Sequence, residues 1–312
     1  MGEWSRRIGE AGENLVAEYF KLIGWADAQK DIEMPCVKPE KHTQSSTPRR
    51  THGIDFLFSY VSPLADGTLN NIVASVKFTT QSYPERPSVK FKEYFGELAE
   101  TLECFKNSAE RRAASAGRMG INRVQDIGVL FWLNSAKNSE DDIVSRVARA
   151  PISDAFVYDS IYIVDNKRVA FVYDALQYAM RLYKTSEIEF FYFDTGKNIN
   201  PLVGSKNGPI LPVEFINANV LPLRIAVSKT EAIVLMLFLI DEFSEENLRR
   251  LIGLAQKLSG NWASKTILCF PDFFPLQHEN IVQRVKASFS DKKTTRNLEV
   301  SSYSSDFRNL HA

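Results

Sequence analysis

The sequence has few cysteines, no excess of either charge and no long apolar run. Only three of its 312 residues are cysteines, namely Cys36, Cys104 and Cys269, and no two of them form a CxxC pair. This scarcity predicts a reducing compartment and argues against a disulfide framework or a structural zinc site. Lys plus Arg number 38, as do Asp plus Glu. Any nucleic-acid binding must therefore come from local patches of one sign.

The apolar runs are too short for a membrane protein. The most apolar run, Ala232 to Ile240, is far shorter than a bilayer span and is typical of a buried strand. The polar N-terminus has no signal-peptide pattern. Hydrophobic content of 44% and charged content of 24% are ordinary for a globular chain. These features predict a soluble cytoplasmic protein with no membrane partner.

The first half of the chain alternates helical and strand patterns. Apolar residues at helical spacing predict helices, and the prolines between residues 30 and 51 predict an irregular polar loop. Short apolar runs around Asp66-Gly67 predict an antiparallel hairpin, and Asp165-Asn166-Lys167 predicts a second one. The predicted helices are Arg6–Ile23, Phe91–Lys106 and Asp174–Tyr183, and the predicted strands are Ile54–Tyr60, Asn71–Thr79, Ile127–Leu133, Ser160–Val164 and Arg168–Tyr173.

The second half predicts a smaller α/β unit. Ser244 is a plausible N-cap for a helix that continues to Ser259, and Gly260 follows its end. The other predicted elements are strands Glu187–Phe193, Leu223–Val227, Ala232–Ile240, Thr266–Phe270 and Leu298–Ser302, and a helix over Gln277–Phe289. We therefore expect two domains, residues 1–184 and 185–312, the second serving substrate selection or subunit contacts.

Two neighbouring predicted strands carry residues suited to phosphodiester chemistry. The first reads His52-Gly53-Ile54-Asp55-Phe56-Leu57-Phe58 and presents a carboxylate, whereas the second ends in Ser75-Val76-Lys77 and presents an amine. Metal-dependent phosphodiester hydrolysis needs clustered carboxylates to hold Mg²⁺ and a cation to orient water or to steady developing charge. A lone Asp and a lone Lys would be ordinary strand residues, so the inference depends on a third element.

The third element is Glu13 on the first predicted helix, eleven residues before Gly24-Trp25. A Glu-bearing helix, a Gly-x-Asp strand and an x-Lys strand in this order resemble the PD-(D/E)xK nuclease superfamily, in particular its Holliday-junction-resolvase and Mrr-like branches. The resemblance implies an α/β, restriction-endonuclease-like fold, a mixed sheet flanked by helices. It also implies that Glu13, Asp55 and the Val76 carbonyl bind Mg²⁺ or Mn²⁺, and that Lys77 positions the attacking water.

The sequence departs from this superfamily at Ser75, where its members carry Glu. A neutral hydroxyl is a poorer Mg²⁺ ligand than a carboxylate, so the substitution weakens metal binding unless another acid compensates. The candidates are Glu10 on the first helix and Glu93 or Glu97 on the helix after the second strand. Three interpretations stay open. The chain is an active nuclease, a catalytically inactive subunit that binds DNA or a partner nuclease subunit, or a purely protein-binding scaffold.

The resemblance implies a Mg²⁺-dependent DNA endonuclease that serves restriction or anti-phage defence. Nucleases of this build commonly act as homodimers or as hetero-oligomers with a partner subunit, and double-stranded DNA is the expected substrate. Basic residues that could contact phosphates are Arg49, Arg50, Arg111, Arg112, Arg118 and Arg123, although a solvated loop explains the first two equally well.

One further group of residues carries potential metal ligands. Cys36, His42 and His52 match no zinc-binding spacing, so the sequence predicts that their occurrence together is incidental.

Overall fold

The structure is a computed structural model, and it describes residues 3–44, 47–136, 142–198, 206–228, 232–260, 262–290 and 295–304. The chain forms two compact units. One comprises Met1–Val169 with Gly196–Ile199, and the other comprises Ala170–Thr195 with Asn200–Ala312. Within the described part, no helix is both long and apolar enough to cross a membrane.

The first unit is a mixed sheet with helices. Its elements are α1 (Glu3–Leu22), β1 (Gln29–Pro35), β2 (Thr43–Gln44), β3 (Thr47–Pro48), β4 (Thr51–Val61), β5 (Thr68–Thr79), α2 (Ser88–Phe105), α3 (Ala109–Ser115), β6 (Arg123–Asn134), α4 (Ile143–Val147) and β7 (Ser160–Val164). The sheet order is β1-β4-β5-β6-β7. Pairing is antiparallel from β1 to β5 and parallel from β5 to β7. The predicted mixed α/β architecture is confirmed.

Helix α1 forms where apolar residues recur at helical spacing, and it ends before Gly24, whose φ of 80° suits glycine. Its buried face packs on the sheet through Phe20, which meets Phe56 and Phe131 edge to face at centroid distances of 5.0 and 5.6 Å. Burying one such ring contributes about 1.5–3 kcal/mol. Trp25 is also fully buried, which explains the aromatic after Gly24.

The predicted hairpin of residues 54–79 and the predicted helix that follows it are confirmed as β4, β5 and α2. Helix α2 packs its apolar face on the sheet, in a core with Leu57, Val73, Leu130 and Trp132. This packing is what brings α2 residues near the ends of β4 and β5.

Two sequence predictions about the first unit were wrong. Part of the predicted loop of residues 30–51 is strand β1, an exposed edge strand whose polar residues conceal its alternation. The predicted hairpin of Ser160–Tyr173 is strand β7 followed by helix α5 (Asn166–Leu182). Asp165 accepts a hydrogen bond from the Arg168 backbone N–H at 3.0 Å, so the apparent turn residues begin a helix instead.

The second unit contains another mixed sheet, of order β13-β12-β11-β10-β8-β9. As predicted, one helix of this unit begins after Ser244, whose side chain accepts a hydrogen bond from the Asn247 N–H, and ends before Gly260. The elements are β8 (Glu187–Phe191), β9 (Asn207–Gly208), a 3₁₀ turn (Val213–Phe215), β10 (Val220–Ala226), β11 (Ile233–Leu239), α6 (Glu245–Ser259), β12 (Lys265–Phe270), α7 (Pro275–Ser288) and β13 (Leu298–Ser302).

Candidate active site

Asp55 lies where β4 separates from β5. The antiparallel ladder runs from Val61 paired with Leu69 to Phe56 paired with Ala74, and it stops before Asp55. The Asp55 side chain takes over there, since its Oδ2 accepts the Val76 backbone N–H at 2.6 Å. The Ser75 hydroxyl also donates to this carboxylate. The strand end therefore holds the Asp55 carboxylate in a fixed position.

Lys77 follows two residues after Ser75 on β5, and its ammonium pairs with Glu97 of α2 at 2.6 Å. The same ammonium lies 5.2 Å from the centroid of the Tyr94 ring. Its positive charge favours ionised Asp55, which shows that the two predicted residues act on each other electrostatically. The structure thus brings the predicted carboxylate and amine together.

Glu13 reaches this region because Gly12 lets α1 approach β5 closely. A Cβ on Gly12 would lie only 2.3 Å from the Phe78 Cβ, so no other residue fits without displacing the helix. Burial raises the pKa of Glu13, and the negative charges of Asp55 and Asp31 raise it further. The third predicted residue therefore belongs to the same electrostatic group as Asp55.

Asp31 is an acid of this group that the sequence reasoning missed. The β1–β4 register pairs Lys30 with Phe56 and Ile32 with Ile54, so Asp31 lies opposite Asp55. Asp31 has a φ of 52°, and among the described residues it is the one non-glycine with a positive φ. The signal for it in the sequence is the alternation of polar Asp31 and Glu33 with Ile32 and Met34, which is typical of a strand.

The charges of three acids act on one another at this place. Burial raises the pKa of Asp55, opposed by the Val76 and Ser75 hydrogen bonds and by Lys77, while Asp31 raises it further. Mutual repulsion among Glu13, Asp31 and Asp55 is relieved by a cation, and carboxylate and carbonyl oxygens are the ligands that Mg²⁺ prefers.

Of the three proposed substitutes for the missing acid, Glu97 lies at the site and the other two pair with residues outside it. Glu97 pairs with Lys77, whereas Glu93 pairs with Lys90 at 2.8 Å and Glu10 pairs with Arg6 at 3.2 Å. Glu10 still acts on Glu13 through its charge.

The predicted basic residues fall into two places. Three lie around the start of β5 and β6: Arg111 pairs with Asp126 at 2.6 Å, Arg118 donates to the Ser59 carbonyl, and Arg123 lies opposite Thr68. Thr68 and Lys77 are nine residues apart on β5, roughly 30 Å. Arg112 is exposed on α3, near Arg111. The second place lies just before β4, where Arg49 pairs with Glu100 at 3.4 Å and Arg50 is exposed. The α3 and β6 arginines are thus far from Lys77.

The sequence predicts that Cys36, His42 and His52 occur together by coincidence, yet the structure brings all three to one place. Together with Cys104 they form a cluster, hereafter the Cys/His cluster, whose ligand atoms all lie within 4.8 Å of one another. Burial lowers the pKa of His52 to about 4, helped by the charges of Arg49 and His42. The grouping arises from β1–β4 pairing and α2 packing, which sequence spacing does not reveal.

Comparison with known proteins identifies the first unit. No curated protein and no solved structure matches the chain. The model of one family, described as the GAPS4 protein PD-(D/E)XK nuclease domain, matches residues 1–168, which is more than half of the 312 residues. The match covers α1, β4 and β5, the elements that carry Glu13, Asp55 and Lys77. The chain therefore belongs to the family of GAPS4 protein PD-(D/E)XK nuclease domains.

Proposed function

We propose that the chain is a Mg²⁺- or Mn²⁺-dependent DNA endonuclease that cuts double-stranded DNA in anti-phage defence. The observation that carries the proposal is the Asp55–Lys77 arrangement at the point where β4 and β5 separate, with Glu13 and Asp31 adding negative charge to the same place. Family membership supports nuclease chemistry, and the few, widely spaced cysteines support a cytoplasmic setting.

Glu13, Asp31, Asp55 and the Val76 carbonyl are the groups that would hold the divalent cation. The bound cation supplies charge neutralisation at the phosphate and lowers the pKa of the attacking water. The Val76 N–H and the Ser75 hydroxyl orient Asp55, and both hydrogen bonds favour its ionised form against the effect of burial. The Lys77 ammonium, steadied by Glu97 and by the Tyr94 ring, orients water and offsets charge that develops on the phosphate.

Ser75 supports the alternative of an inactive subunit that binds DNA or a partner nuclease subunit, because the acid usual in the PD-(D/E)xK superfamily is missing there. Asp31 weighs against that alternative, since it supplies a carboxylate opposite Asp55 from another strand. We propose that acid migration from β5 to β1 preserves the charge of the site.

The test is cleavage of supercoiled plasmid and of linear duplex with Mg²⁺ or Mn²⁺, comparing wild type with Asp55→Asn and Lys77→Ala. Each variant is expected to lose roughly 10²–10³-fold in rate, the scale for removing one group that stabilises transition-state charge. Lys92→Ala, which changes an exposed lysine on α2, is the matched control and retains activity. Wild-type DNA binding without cleavage favours the inactive subunit, and cleavage that survives both substitutions excludes this site.

The second unit has the proposed role of selecting substrate or contacting another subunit, as a homodimer or hetero-oligomer. The boundary at residue 184 and this role stay predictions. Size-exclusion chromatography with light scattering, with and without duplex DNA, measures the oligomeric state.

A further inference from the structure

The Cys/His cluster joins four segments that are distant in sequence. Cys36 directly follows β1, His42 precedes β2, His52 lies on β4 and Cys104 lies in the last turn of α2. His42, His52 and Cys104 are each no more than 1% exposed, whereas Cys36 is partly buried. Four potential metal ligands thus meet in the interior of the first unit.

Four of the six distances between the ligand atoms match the edges of a tetrahedron around zinc, and the other two are no longer than 4.8 Å. For Zn–S near 2.3 Å and Zn–N near 2.05 Å, those edges are about 3.8 Å for S–S, 3.6 Å for S–N and 3.3 Å for N–N. The Cys36 and Cys104 sulfurs lie 3.8 Å apart. His42 Nδ1 lies 3.4 Å from each sulfur and 3.3 Å from His52 Nε2.

Hydrogen bonds outside the cluster determine which imidazole nitrogens face inward. His42 Nε2 donates to Glu103 Oε2 at 2.9 Å, which leaves the Nδ1 lone pair facing the sulfurs. Glu103 is 4% exposed, and its carboxylate accepts hydrogen bonds from the Lys38 and Lys41 ammonium groups as well as from His42. A carboxylate is the usual acceptor for the second ring nitrogen of a histidine that binds zinc.

The second histidine is oriented in the same way. The Thr101 hydroxyl donates to the Glu97 carbonyl at 2.8 Å, so its oxygen accepts from His52 Nδ1 at 3.4 Å. This assignment leaves the Nε2 lone pair of His52 facing the Nδ1 lone pair of His42. Two lone pairs at that separation repel each other unless a cation lies between them.

We propose that Cys36, His42, His52 and Cys104 bind one Zn²⁺ ion in a closed structural site. Four protein ligands leave no position open for water, which is the arrangement of structural rather than catalytic zinc. Sulfur and imidazole donors select zinc and disfavour Mg²⁺, which separates this site from the carboxylates around Asp55. On binding, the two thiols release their protons to solvent, and backbone N–H groups of Val37 and Lys38 donate to the Cys104 sulfur.

The test is the metal content of the purified full-length chain, measured by inductively coupled plasma mass spectrometry before and after reconstitution with Zn²⁺. We expect about one zinc per chain in wild type and in two controls: Cys269→Ser, which changes a buried cysteine of the second unit, and Asp55→Asn. Cys104→Ser and His42→Ala are expected to lose the zinc, and Glu103→Gln to weaken its affinity roughly 10–100-fold. Wild type that takes up no zinc after reconstitution overturns the proposal.

A second measurement covers variants that do not fold. Wild type reconstituted with Co²⁺ is expected to show the visible absorption of tetrahedral cobalt together with thiolate-to-cobalt charge transfer. Its absence overturns the proposal. So does a mass two hydrogens lower with no free thiol at Cys36 and Cys104, which would show a disulfide between the two sulfurs.

Discussion

The acidic site around Asp55 and the Cys/His cluster share three elements, β1, β4 and α2, but differ in chemistry. Strand β1 supplies Asp31 to one and leads into Cys36 of the other, while β4 supplies Asp55 and His52. Helix α2 supplies Glu97, which holds Lys77, and Cys104, two turns further on. The shared elements β1, β4 and α2 thus carry oxygen donors at one place and sulfur and nitrogen donors at another.

The two places also differ in burial, and that difference separates their roles. Asp31 is exposed and Asp55, Glu13 and Lys77 are partly exposed, so a substrate and water can reach them. His42, His52 and Cys104 are closed off from solvent, so an ion there can only join the segments that hold it. We infer that the buried cluster fixes β1, β4 and α2 so that the exposed acids keep their positions.

The largest expected effect is the loss of cleavage in Asp31→Asn. Asparagine adopts the positive φ at this position as readily as aspartate, so the substitution removes charge without straining the backbone. We expect a cleavage rate lower by roughly 10²–10³-fold with unchanged zinc content. Asp27→Asn changes an exposed acid in the preceding turn and is the matched control. Wild-type activity in Asp31→Asn would remove this residue from the site.

The next effect is a dependence of folding stability on pH, which arises from Asp55 and Glu13. The pKa values of Asp55 and Glu13 are raised by burial above their ordinary 3.8 and 4.5, so without metal both groups reduce stability as pH rises through those raised values. Asp55→Asn should therefore be more stable than metal-free wild type at neutral pH, and the difference should vanish in acid.

Bound Mg²⁺ should make wild type more stable than Asp55→Asn, which reverses the order of stability expected without metal. At a concentration of about 100 times its Kd, Mg²⁺ raises the free energy of unfolding of wild type by about 2.7 kcal/mol and that of Asp55→Asn by less. Thermal denaturation with and without Mg²⁺, across pH, measures both effects. An equal Mg²⁺ shift in the two proteins would mean that Asp55 binds no metal.

A pair of glycines on α1 tests how Glu13 is positioned. Gly12→Ala would place its Cβ 2.3 Å from the Phe78 Cβ and is expected to cost about 1–3 kcal/mol, with reduced cleavage. Gly9→Ala meets nothing within 4 Å and should stabilise the helix by about 0.8–1 kcal/mol. Chemical denaturation compares them, and an unaffected Gly12→Ala would show that close approach of α1 is not needed.

The smallest effects are expected at exposed arginines. Arg50→Ala and Arg123→Ala should each weaken duplex binding and reduce the magnitude of the negative slope of log affinity against log salt by about 0.9, without changing the cleavage rate at saturating DNA. Arg250→Ala, an exposed arginine of the second unit, is the control. Binding titrations over a range of salt concentrations measure the slope, and an unchanged slope would place these residues outside the DNA interface.

Local pattern was enough to predict most elements, since apolar spacing identified α1, the β4–β5 hairpin and α2. It failed at β1, because an exposed edge strand carries few apolar residues, and at the start of α5, because Asp165 caps helices as well as it forms turns. The failure at β1 concealed Asp31.

The sequence by itself determined that Asp55 and Lys77 lie on adjacent strands and that Glu13 lies on the preceding helix, because these depend on short-range periodicity and order. Only the tertiary structure decided that the charge of Asp31 acts on Asp55 and that Cys36 and Cys104, 68 residues apart, lie with His42 and His52. Strand pairing and helix packing join residues without regard to their separation in the chain, so spacing alone does not reveal such contacts.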